Sequence, residues 1–126
     1  MNQETWTAVD NYISGFLAGH DDALEQTLKD SASAGLPDIQ VSPAQGKLLH
    51  VLARMVNARN ILEIGTLGGY STIWMARALG PGGHILTLEY SPKHAEVARV
   101  NFARAGLGKV IDVMVGPQVP SALSRR

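Results

Sequence analysis

The stretch Asn60-Ile61-Leu62-Glu63-Ile64-Gly65-Thr66-Leu67-Gly68-Gly69-Tyr70-Ser71 constrains this chain more than any other part of it. A short apolar run enters a turn with three glycines, and a helical pattern, Tyr70 to Leu79, leaves that turn. Gly80-Pro81-Gly82-Gly83 breaks the helix, and His84 to Glu89 reads as a second short strand. Pro92 to Ala105 then carries helical spacing up to Gly106, and Val110 to Val115 is a third strand. Strands that alternate with helices over short links make a parallel sheet, with the crossover helices packed on it. The expected fold is therefore α/β with three parallel strands.

The residues before this unit read differently. Trp6, Val9, Ile13, Phe16 and Leu17 recur at helical spacing, and Leu24, Leu28 and Ala32 share a face of a second helix. Asp21 or Asp22 is placed to cap that second helix. Ser42-Pro43 starts a third, with an N-cap residue before proline at the first helical position, and it runs through Leu48, Leu49, Leu52, Met55 and Val56 to Asn57. Three parts follow: a helical extension with its lead-in helix over 1–57, a half-domain over 58–116, and a tail over 117–126. Eleven basic and eleven acidic side chains cancel in the 126 residues, which speaks against a broad grip on nucleic acid or anionic lipid. No apolar run is long enough to span a bilayer, the start lacks a secretory pattern, and cysteine is absent. A cytoplasmic protein is expected.

The chemistry concentrates at the glycine turn. In an open α/β sheet, ligands bind beyond the carboxyl ends of the strands. Glycine lets the backbone turn tightly there and approach a ligand, and helix amides near Tyr70 and Ser71 can receive an anion or a carboxylate. A dinucleotide fingerprint needs Gly-x-Gly-x-x-Gly, whereas this turn reads Gly-x-x-Gly-Gly with an acid, Glu63, two residues ahead. That acid repels a diphosphate and suits an ammonium group. A second acid, Glu89, ends the next strand, where a carboxylate accepts both hydroxyls of a ribose. One acid for an amine and one for a ribose describe an aminoacyl nucleoside such as S-adenosylmethionine. The plainer alternative is a loop glycine cluster beside a solvated Glu63 and a helix-capping Glu89.

With Val41-Ser42-Pro43-Ala44-Gln45-Gly46 ahead of it, and Leu86-Thr87-Leu88-Glu89 after it, this block resembles the class I, Rossmann-like O-methyltransferases that include catechol and caffeoyl-CoA O-methyltransferases. The resemblance runs from about Asp22 to Gly116. It implies a truncated class I methyltransferase fold that binds S-adenosylmethionine and methylates a phenolic or similar hydroxyl. By resemblance, Val41 packs near the methionine end, Glu63, Gly65 and Thr66 line the methionine and ribose side, and Ser71 bonds the methionine carboxylate. Glu89 holds the ribose hydroxyls, Tyr90 lies beside the adenine, and the backbone near Gly116 and Pro117 adds adenine contacts. The family continues as Gly-Pro-Ala and a helix, and this chain departs from that with Gly116-Pro117-Gln118-Val119-Pro120-Ser121. The family's metal site begins on a fourth strand, and its remaining ligands and general base follow later. Within these 126 residues no catalytic residue and no metal ligand is therefore assigned, and magnesium is not expected to bind.

His20-Asp21-Asp22 reads as a helix start rather than a metal cluster, because adjacent residues do not converge on one ion. His50 and His94 have no acid placed beside them by sequence, and His84 reads as structural. Trp6 and Trp74 belong to apolar helix faces, as core or interface. In the full fold that the resemblance implies, the first strand lies between the second and the fourth; without the fourth, one edge of Ile61 to Ile64 is unpaired, so a homodimer or larger assembly is expected. A nucleoside-binding or self-associating remnant without turnover, and a fragment with an unrelated weak activity such as hydrolysis, are the alternatives. No serine, histidine and acid are spaced as a triad.

Overall fold

Short links between strands and helices leave a parallel sheet little choice of topology, and the computed structural model, which describes residues 2–19 and 21–116, bears this out. In chain order the elements are α1 (Gln3–Leu17), α2 (Asp22–Ser33), α3 (Pro43–Met55), β1 (Asn60–Ile64), α4 (Tyr70–Ala76), β2 (His84–Glu89), α5 (Pro92–Arg104) and β3 (Ile111–Val115). The strands lie in the order β1-β2-β3, both pairs parallel. Glu63 stands opposite Thr87, and Glu89 opposite Val115. The ladder continues past β1, where the Gly65 amide donates to the Leu88 carbonyl at 2.8 Å.

Each helix start carries its own signal. Ser42 and Gln45 form a reciprocal capping box on α3 with Pro43 just inside, and Ser91 caps α5 ahead of Pro92. Asp21 caps α2 by accepting from the Leu24 amide at 3.0 Å, and it also takes two hydrogen bonds from Arg77, at 2.7 and 3.2 Å. Burial works to raise the Asp21 carboxyl, but the Arg77 bond and charge and the backbone amides outweigh it, so its pKa lies below the ordinary 3.8. The helix after the glycine turn is shorter than its spacing suggests. It ends at Ala76, and Ala78 and Leu79 close a tighter turn on Met75 and Ala76. Likewise β3 begins at Ile111, because the Val110 amide is held by the Leu107 carbonyl in the preceding turn.

The core lies on one face of the sheet, where Ile73 of α4 and Ala98 and Phe102 of α5 pack on Ile85 and Ile111. α3 closes against α4 at Gly46, where a Cβ would sit 2.3 Å from the Trp74 ring. The other face is open among the described residues, a broad concavity of about 770 Å³ with Leu62, Leu86, Asp112 and Met114 in its lining. β1 pairs only with β2 there, and Ile64 is 76% exposed. α1 forms as its spacing predicts, but no residue of it is buried; Trp6 is 52% and Phe16 75% exposed. Periodicity reports that an apolar face exists, not that anything covers it. Trp74, by contrast, is core. No helix among the described residues is long and apolar enough to cross a membrane.

Candidate functional site

The turn from β1 into α4 is built from three left-handed residues, Gly65 (φ +92°), Leu67 (φ 52°) and Gly69 (φ +88°). Gly69 caps α4 with the Phe102 ring packed on it, and an added Cβ would meet that ring at 2.3 Å. Asn101, fully buried, fixes the turn from below by donating to the Gly68 carbonyl at 2.9 Å. At Gly65 the space a Cβ would occupy is open. One end of the turn is thus locked into the core while the other faces a cavity of about 370 Å³.

Ile39, Gln40 and Val41 form one wall of this cavity; Gly65, Thr66 and Leu67 line it from the turn, Tyr70 and Ser71 from α4, and Glu89 and His94 complete it. Of the residues expected from sequence, Val41, Gly65, Thr66, Ser71 and Glu89 come together here. Glu63 and Tyr90 are not in the lining. The Glu63 carboxylate sits behind it, accepting hydrogen bonds from Ser71 at 2.7 Å, Thr72 at 2.5 Å and Thr87 at 2.7 Å. Tyr90 follows Glu89 and is 81% exposed. Pro117 and the tail after it lie outside the described residues, as does His20.

Glu89 is 8% exposed and held from two sides. Its Oε2 accepts from the Leu67 amide at 2.8 Å and its Oε1 from the Ser91 amide at 2.9 Å. Each carboxylate oxygen keeps acceptor capacity, so the group offers two fixed acceptors side by side, suited to a vicinal diol. The bond to Ser91 also makes Glu89 part of the α5 start, so the capping role and the site role coincide. His94 Nδ1 stands 3.5 Å from Glu89 Oε1, which corrects the expectation that His94 has no acid beside it. The signal was available: Ser91-Pro92 starts a helix directly after Glu89, and its first turn folds back on the strand tip. His50 bonds the Trp74 carbonyl and His84 pairs with Asp112, both away from the cavity. Burial, with the Asp21 charge adding to it, raises the Tyr70 phenol above its usual 10.0, so this wall keeps its hydroxyl proton.

A parallel sheet in the order β1-β2-β3, a glycine turn after β1 and a fixed acid at the tip of β2 define half of a Rossmann-like, class I methyltransferase fold. Comparison with known proteins gives the same result more narrowly. The O-methyltransferase family profile matches residues 16–124, and the chain belongs to that family. It is 52% identical over 119 residues to a catechol O-methyltransferase of Niastella koreensis, covering 94% of this chain and 54% of the relative. With the catechol O-methyltransferase of Mycobacterium tuberculosis it shares 56% over 109 residues, 86% of this chain and 50% of the relative. The structure superposes on an O-methyltransferase from Bacillus cereus in complex with SAH with a TM-score of 0.92, at 53% identity, over 96% of this chain and 55% of that one. TomG from Streptomyces achromogenes, in complex with SAM, gives 0.91 at 45% identity, over 100% of this chain and 57% of its own. The chain spans about half the length of the curated relatives it matches.

Proposed function

We propose that the chain is the cofactor-binding half of an O-methyltransferase and takes S-adenosylmethionine in the cavity above Gly65, for transfer to a phenolic or similar small hydroxyl acceptor. The observation that carries this reading is the buried Glu89 carboxylate, pinned by the Leu67 and Ser91 amides at the edge of that cavity. The residues present suit the group: the volume is in the range of small-ligand sites, roughly 300–1,000 Å³, and among the described residues no lysine or arginine lines it to favour a phosphate. Val41, Gly65, Thr66, Ser71 and Glu89 hold the cofactor, with Glu63 behind them and Tyr90 at the nucleoside end. When bound, the cofactor supplies an electrophilic methyl group; these residues bind and orient it.

Acceptor binding and proton removal are not assigned to any described residue. A methyl-transfer assay with catechol and magnesium is expected to give no product from this polypeptide alone. Product formation without a second polypeptide would show that these 126 residues suffice, and would reject a half-site reading. The open sheet face, the free β1 edge and the exposed α1 face support self-association. Light scattering at micromolar concentration is expected to return at least twice the 13.5 kDa of one chain. A clean monomer contradicts it.

A further inference from the structure

We propose that a second cavity, which shares Tyr70 with the first as a wall, binds a small neutral ring compound through one hydrogen-bond acceptor, a cyclic or aromatic ketone by class, which takes the Trp74 indole N–H.

This cavity of about 330 Å³ lies where α1, α2, α3 and α4 meet. Ala18, Leu24, Leu28 and Pro43 give it apolar walls, and Tyr70 stands between it and the cavity above Gly65. Trp74 completes the lining and is 7% exposed, yet its Nε1 finds no hydrogen-bond partner among the described residues. Gly46, packed on the indole, has no side chain to offer one. The Tyr70 hydroxyl is close enough for the N–H to work against the rise that burial gives its pKa, but the two do not reach hydrogen-bond geometry. A buried N–H without an acceptor is rare in native proteins, so an acceptor from outside the chain is called for. One water fills roughly 30 Å³, about a tenth of this space, and apolar walls hold water poorly, which favours a molecule the size of a ring. Charge decides the rest. The two acids in the lining are both matched, Asp21 by Arg77 at 2.7 Å and Glu25 by Lys29 at 3.9 Å, and among the described residues no basic side chain lines the cavity. An anion meets two carboxylates there, and a cation finds both already engaged. A neutral ring buries its faces on the apolar walls and turns its one acceptor to Trp74.

The test compares acetophenone, a neutral ring with a carbonyl, and ethylbenzene, a similar shape without it. The chain has two tryptophans, Trp6 and Trp74, so a proton–nitrogen correlation spectrum, with Trp6→Phe to assign the signals, follows the buried indole by itself. Acetophenone is expected to move the Trp74 N–H signal downfield and saturably while that of Trp6 stays in place. Ligand-observed saturation transfer then gives both affinities. Ethylbenzene is expected to bind about fivefold more weakly, the effect of one neutral hydrogen bond, and Trp74→Phe to bring the two probes level. Gly15→Leu is expected to abolish binding of both, because Gly15 lines the cavity and the space beyond its Cα is open to a side chain. Ser14→Leu, one residue earlier in the same lining, repeats the measurement should circular dichroism show that Gly15→Leu does not fold. The absence of a saturable shift at Trp74, or undiminished binding to the folded, filled variant, overturns the site. Equal affinity of the wild type for both probes overturns the role given to Trp74, and with it the class of ligand.

Discussion

Glu89→Ala is expected to lower the affinity of the chain for S-adenosylhomocysteine by about a hundredfold or more, because it removes two bonds to a charged acceptor at once. The magnitude comes from the way the carboxylate is held. The Leu67 and Ser91 amides fix both oxygens before any ligand arrives, so the diol meets an acceptor pair that needs no ordering. The variant also leaves those two amides without their partner, so the turn around Leu67 loosens. Calorimetric titration checks the affinity, and a thermal scan separates it from general unfolding. An unchanged dissociation constant in a folded Glu89→Ala protein would remove the nucleoside assignment.

Gly69→Ala has the largest expected effect on stability. The substitution puts a side chain on a residue at φ +88° and drives a Cβ to 2.3 Å from the Phe102 ring, itself in the core. Left-handed strain and overpacking together cost about 2–4 kcal/mol, which for a domain of this size lowers the thermal midpoint by roughly 10 °C or more. Circular dichroism on heating measures it. A drop of only a degree or two would mean that the ring of Phe102 does not rest on the turn.

Much of this was legible because the local signals are strong and agree with one another. Glycine and proline punctuate every strand-to-helix exchange, Ser42 and Ser91 cap their helices beside a proline, and the apolar runs are too short for anything but strands. The glycine turn and Glu89, both singled out in the sequence, line one cavity. What escaped depends on register and on neighbours. Thr72 and Thr87 are unremarkable in a list of residues; only the pairing of Glu63 with Thr87 across β1 and β2, and the first turn of α4, bring three hydroxyls onto one carboxylate. His94 escaped because helix spacing places it on a face without saying that the strand tip lies beside it. The exposure of α1 escaped because a periodic apolar stripe looks the same whether or not a partner covers it.

The two long-range ion pairs of α2 carry a consequence for the order of events in synthesis. Asp21 is bound to Arg77 and Asp30 to Arg104, so an early helix is anchored to side chains made much later. Until Arg77 and then Arg104 have left the ribosome, Asp21 and Asp30 lack the counterions they have in the folded chain. The wall formed by Ile39, Gln40 and Val41 follows that helix in sequence, so the cavity takes shape late, as a product of tertiary closure rather than of any segment folding by itself.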